Sequence, residues 1–268
     1  MLTIRLALAA ISIILIWGLF SLPKSVVQKE GGLDGPSQNS PKSENSSHQI
    51  DGKFLEKISR LRENFFHEEE KEKSAIFADS LAILYQKTQN LDSATWFAEV
   101  FASLKNDRAG WEKAGDLFFE AFSFSLDPKK QQTYAEKSRE YFNKVLEGSP
   151  NNLDVKSKVA MTYIGSPNTM QGIQMLKEVL EENPNHEQAL FNLGMLSVQS
   201  GQYELAKGRL EHLLDIHPEH LQGNLLLGIT LMNLGNKEDA KRIFEKVKTL
   251  DNDPAVIGAV DSYLEELK

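Results

Sequence analysis

Histidines are the first candidates for chemistry in this chain: His212, His217 and His220 fall within nine residues, and His186 precedes them. Three imidazoles can bind zinc when the backbone gathers them. Here His217 and His220 sit in a stretch that reads as a turn. No carboxylate or further histidine is spaced to complete a set on one helix face, so these residues read as turn residues and no metal site is expected. His67 and Glu68 start a zincin-like pair, but Lys71 stands where that chemistry needs its second histidine. The run is a solvated charged face. Ser21 and Lys24 mimic a serine-lysine pair, yet they abut an apolar run outside any expected fold. The chain has no glycine-rich phosphate loop, no G-x-S-x-G elbow and no H-E-x-x-H. With 0 cysteines it lacks disulfides, thiolate ligands and a cysteine nucleophile. A net charge of -8 and the lack of a basic run speak against a phosphate-binding surface. The expectation is a protein that is not an enzyme and holds no cofactor.

What the chain does contain is a sentence written twice between Glu187 and Pro254, with a period of 34 residues. In register, Leu193 pairs with Leu227, Gly194 with Gly228, Gly201 with Gly235, Ala206 with Ala240 and Leu210 with Phe244. Each half reads as a helical hairpin. Leu190, Leu193 and Ser197 share one face, Gly201 breaks the run, and Ala206, Leu210 and Leu213 begin a second face. Small residues at Gly194, Gly228, Ala206 and Ala240 let two helix backbones approach closely.

This pattern resembles the tetratricopeptide repeat, whose form is W-x2-L-G-x2-Y, then A-x3-F, then P. The last copy shows Leu227-Gly228-x2-Leu231 and Ala240-x3-Phe244, and the one before shows Leu193-Gly194-x2-Ser197, Ala206-x3-Leu210 and Pro218. Three further copies precede these. Residues 75–107 carry Leu81-Ala82-x2-Tyr85 and Ala94-x3-Ala98. Residues 108–152 carry Trp111-x2-Ala114-Gly115-x2-Phe118, Ser138-x3-Phe142 and Pro150. Residues 153–186 carry Val159-Ala160-x2-Tyr163, Gly172-x3-Leu176 and Pro184. The copy at 108–152 is longer than the others around Phe122 to Gln132, so both of its helices should be lengthened and its hairpin should protrude.

The resemblance implies an all-α fold, a right-handed superhelical solenoid of hairpins at 75–107, 108–152, 153–186, 187–220 and 221–254. An amphipathic helix within 51–74, with Phe54, Ile58, Leu61 and Phe65 on one face, should cover the open end. Prolines punctuate the boundaries: Pro150, Pro184, Pro218 and Pro254 each follow a polar residue and suit the first turn of a helix. A last helix at 255–268, with Val256, Val260, Tyr263, Leu264 and Leu267 buried, should cap the other end.

Ahead of the repeats, Leu6 to Phe20 is free of charge, and with Ser21 and Leu22 it spans roughly 25 Å as a helix, close to a bilayer's hydrocarbon thickness. Small residues for a peptidase are missing around Phe20 to Lys24, so residues 1–23 read as an uncleaved signal anchor. A short charged start before the apolar run favours export, which would place the protein in the inner membrane as a single-pass chain with a periplasmic repeat domain. Residues 24–50 form a linker. From Gln28 to Ile50 it has almost no large apolar residues and would reach about 26 Å. The Asn45-Ser46-Ser47 triplet matches a glycosylation acceptor by chance in a serine-rich stem.

By the same resemblance, the first helix of each hairpin lines a concave groove. The partner-binding candidates are Gln188, Phe191, Met195, Val198 and Gln199, then Gln222, Leu225, Ile229, Met232 and Asn233. Methionine and leucine make an adaptable apolar track, and the amides can pair with a peptide backbone. Chaperone-binding members of the family use a clamp of Lys, Arg and Asn instead, and Phe191, Met195, Leu225 and Ile229 occupy the comparable face here. The expected partner is therefore a protein or peptide, with no nucleic acid. A second reading, an enzyme or metal-dependent hydrolase on a helical-repeat scaffold, would show ionisable side chains clustered in the groove.

Overall fold

The computed structural model describes residues 52–268, with side chains from Phe54 onward. The anchor expected at Leu6 to Phe20 and the stem expected at Gln28 to Ile50 lie outside the described residues. Every regular element described is an α-helix. Helix α1 (Gly52–His67) precedes five hairpins: α2 (Lys71–Lys87) with α3 (Leu91–Lys105), α4 (Arg108–Phe124) with α5 (Pro128–Gly148), α6 (Leu153–Met161) with α7 (Thr169–Glu182), α8 (Glu187–Gln199) with α9 (Tyr203–Ile216), and α10 (Leu221–Asn233) with α11 (Lys237–Leu250). Helix α12 (Pro254–Glu266) closes the stack. Each helix packs on its neighbours in the chain, and the first helices of successive hairpins also touch, α6 on α8 and α8 on α10. No described helix is long and apolar enough to cross a membrane.

The hairpins close by size complementarity. A Cβ added at Gly228 would lie 2.6 Å from the Phe244 ring, and one at Gly115 would lie 2.6 Å from the Phe142 ring. Where α9 carries the smaller Leu210, the gap over Gly194 opens to 2.9 Å. At the same register the third hairpin has Ala160 and Leu176 and the first has Ala82 and Ala98, all fully buried. A bigger residue on the second helix thus goes with a smaller one on the first.

Local chemistry sets the ends. Asn152, His186 and His220 are the N-caps of α6, α8 and α10, each accepting from a backbone N–H three residues on. Asp127 and Asp253 cap α5 and α12 ahead of prolines at the first helical turn. Gly201 and Gly235 take φ values of +73° and +81° to end α8 and α10, and the amides of Gln202 and Asn236 then donate back to Ser197 and Leu231. The second hairpin is longer than the rest: α4 has 17 residues and α5 has 21, against 13 and 14 in α8 and α9.

The third hairpin departs from the expected pattern. Helix α6 has only 9 residues and stops at Met161, so Tyr163 lies in a turn and not on the first helix. Gly165, at φ +81°, and Pro167 account for the early stop, because neither continues an α-helix well. At the amino-terminal end, α2 begins at Lys71, one turn before Ala75, and α1 ends at His67.

Candidate functional site

The face of α8 and α10 expected to bind a partner divides into two sets. Gln188, Gln199, Gln222 and Asn233 are exposed, while Phe191, Met195 and Met232 are half-buried. Val198, Leu225 and Ile229 are buried, at 3%, 4% and 2% exposure, and do not line an open groove. The reason is the composition of α10. From Gly223 to Leu231 every residue is buried, so Leu225 and Ile229 join Leu190, Leu227, Phe244 and Val260 in one core. Phe191, Met195 and Met232 pack on the rim of that same core. The apolar track that remains accessible is therefore the rim, bordered by amides. Two of these amides are engaged: Gln188 Nε2 donates to Asn192 Oδ1 at 3.3 Å, and Asn233 Nδ2 donates to the Ile229 carbonyl at 2.8 Å.

The histidines act as caps and ties. His186 Nδ1 accepts from the Ala189 amide while its Nε2 lies 3.1 Å from Asp154 of the preceding hairpin. His220 repeats the arrangement one period later, with Nδ1 accepting from the Gly223 amide at 2.9 Å and Nε2 3.6 Å from Glu187. The Phe191 ring sits beside the His220 imidazole with centroids 5.1 Å apart. Burial pushes the His220 imidazole below its ordinary pKa, against the opposing pull of Glu187. His217 Nε2 lies 3.5 Å from Glu187 and His212 Nε2 meets Asn185 Oδ1 at 3.0 Å. Among the described residues no group of three or more His, Asp or Glu is placed to hold a metal ion.

Polar rungs between the first helices of the early hairpins were not among the sequence candidates. Lys113 of α4 pairs with Asp79 of α2, and Gln86 Nε2 donates to Glu120 at 2.5 Å, both across 34 residues. Lys158 of α6 reaches Asp116 at 2.6 Å. The signal was available for Asp79 and Lys113, opposite charges one period of 34 residues apart on first helices. Between the second helices, Asp92 accepts from Lys130 and Tyr134, and Glu99 accepts from Lys137 and Tyr141. These two clasps are seven residues apart on both α3 and α5. Lys130 and Tyr134, as donors, hold the Asp92 carboxyl below its usual range. A cleft of about 380 Å³ opens beside them, walled by Leu91, Phe124 and Tyr134.

Residues 197–260 match the tetratricopeptide repeat family. No curated protein matches the chain. Among solved structures, a tetratricopeptide repeat protein from Parabacteroides merdae has 17% identity and a TM-score of 0.58, covering 81% of this chain and 84% of that one. A thermophilic TPR protein of Thermus thermophilus has 13% identity and a TM-score of 0.54, covering 71% of this chain and 99% of that one. At such identities the likeness shows the fold, an all-helical solenoid of tetratricopeptide type.

Proposed function

We propose that this chain is a membrane-anchored scaffold that holds a peptide or helix of a partner protein against the first helices of its repeats. The anchor is Leu6 to Phe20, the repeats face the periplasm, and the partners belong to an envelope complex whose assembly the scaffold assists. The observation that carries the reading is the rim of Phe191, Met195 and Met232, half-exposed and bordered by the exposed Gln188, Gln199 and Gln222. An apolar strip of this kind beside amides takes the side chains of a peptide while the amides meet its backbone.

Capture of partners by the full-length chain in detergent tests this. Met195→Glu should lose capture at least tenfold with helix content intact, because a carboxylate left unpaired in the complex opposes binding. Salt should weaken capture only modestly, as expected of a contact without an electrostatic clamp. Ile229→Glu serves as the folding control, since its side chain is buried and the charge should unfold the last hairpin. Full capture by a folded Met195→Glu variant would refute the rim as the binding surface. Retention in membranes through alkaline washing tests the anchor, and protease added to intact spheroplasts tests which side the repeats face.

A further inference from the structure

We propose that the third hairpin, α6 with α7, is a joint about which the two ends of the stack rock, α1 to α5 moving as one body and α8 to α12 as the other. The hydrophobic core is divided in just this way. One large cluster runs from Ile58 of α1 through Leu81 and Phe97 to Phe118 and Tyr141, and a second runs from Leu190 through Leu227 and Phe244 to Val260. No buried residue of the third hairpin belongs to either, though the partly buried Leu180 of α7 packs on the second. The hairpin's boundaries are held by two small clusters, Phe142 and Val145 with Val155 and Val159 on one side, and Ala160, Leu176 and Val179 with Ala189 and Leu193 on the other. In a repeat stack each boundary carries its own share of the stability, so a boundary with less buried apolar surface is the one that yields first.

Polar contacts are densest between the first two hairpins. The first and second hairpins are bolted together by Asp79 with Lys113, Gln86 with Glu120, and the two clasps on Asp92 and Glu99. From the second hairpin to the third, Lys158 reaches Asp116 and Arg139 donates to the Thr162 carbonyl at 2.9 Å, stacking over the Tyr163 ring. These contacts hold α6 toward the second hairpin. Beyond it, the tie to α8 is the His186 pair with Asp154, whose carboxylate side chain is 82% exposed. A carboxylate exposed to that degree contributes little to the contact.

Two buried polar atoms add to the weakness. Ser157 Oγ on α6 and Asn192 Nδ2 on α8 are buried without a hydrogen-bond partner among the described residues, as is Asn224 Oδ1 on α10 within the second body. A buried group left unpaired favours states that open the boundary and let water in. Helix α6 also lacks the last turn that α8 and α10 have. Rocking here would change the curvature of the face formed by the first helices, so one scaffold could fit partners of different width.

The absence of native cysteine makes the test clean, because spin labels attach only where cysteine is introduced. Three labelled pairs of the full-length chain in detergent are compared by pulsed dipolar spectroscopy, without partner: Ser103→Cys with Asn143→Cys in the first body, Glu211→Cys with Lys241→Cys in the second, and Asn143→Cys with Glu211→Cys across the joint. All four positions are exposed on helices. The pair across the joint should give a distance distribution at least twice as wide as either other pair. An equal width overturns the proposal. Amide exchange in α6 should run at least tenfold faster than in α4 and α10, and equal protection of the three also overturns it. Ser157→Ala with Asn192→Leu should slow exchange in α6 and narrow the distribution across the joint. No change in either would show that the unpaired groups do not soften it.

Discussion

Replacing Gly228 by alanine adds one methyl group to α10, and the structure sets what that methyl meets. Its carbon would lie 2.6 and 2.8 Å from two ring carbons of Phe244, a side chain with 0% exposure that also stacks on Tyr263 at 5.1 Å between centroids. The buried ring must shift against its neighbours to admit the methyl group. Overpacking of this kind costs about 1–3 kcal/mol, and alanine's better helix propensity returns about 1 kcal/mol, so a net loss of up to about 2 kcal/mol is expected. Phe244→Leu should lose about 1–2 kcal/mol through the cavity it leaves. The double variant places Ala opposite Leu, the combination the third hairpin already has at Ala160 and Leu176. Its loss should fall short of the sum of the single losses by about 1 kcal/mol or more. Urea unfolding of residues 51–268, followed by helix dichroism, measures all four corners of the cycle. Losses that add to within about 0.5 kcal/mol, or a stabilising Gly228→Ala, would refute the size-complementary account of how the hairpins close.

Other perturbations separate the remaining causes. Gly235→Ala should cost about 1 kcal/mol or more, because φ is +81° there, whereas Gly208→Ala on the open face of α9 should stabilise by up to about 1 kcal/mol, both read by urea unfolding. The His220 imidazole is depressed by burial, so the unfolded chain takes up its proton first as pH falls through about 6.5. Stability from this cap should therefore be constant above that pH and decline below it, toward the lower folded value. His220→Asn keeps a capping acceptor without a titration, and denaturation curves between pH 7.5 and about 5 should show a smaller decline for it than for the parent. Asp107→Ala should cost about 1 kcal/mol in the same assay, since the carboxylate accepts from the Gly110 amide at 2.9 Å at the start of α4.

The repeat signature made the fold legible because it is written in residues that admit few alternatives. A small residue at Gly194 or Gly228, a large one sixteen positions on, and a glycine between them describe two helices, their contact and their turn. The third copy shows the limit of that signature. Val159, Ala160 and Tyr163 fit the pattern, but the Gly165-Ser166-Pro167 stretch that follows stops the helix at Met161. The short-range breaker prevailed over the long-range pattern, since a helix turn needs backbone donors and φ values that proline and a left-handed glycine deny it.

The face of α10 was legible only in part, and the reason lies in its neighbours. Leu225 and Ile229 occupy the same register positions as Phe191 and Met195, so a pattern that treats repeats alike assigns both pairs to the groove. The pattern cannot register that α10 follows Leu225 with Leu226 and Leu227 and holds Ile229, Thr230 and Leu231 in the next turn, which makes the helix apolar nearly all round. A helix of that kind is stable only when covered on every side. The order of exposure, with Phe191, Met195 and Met232 open at the rim and Leu225 and Ile229 sealed beneath, follows from that coverage. A charge at Met195 and a charge at Ile229 therefore probe different things, binding in the first case and folding in the second. Loss of partner capture without loss of helix content for Met195→Glu, together with loss of both for Ile229→Glu, is the pair of results that this arrangement requires.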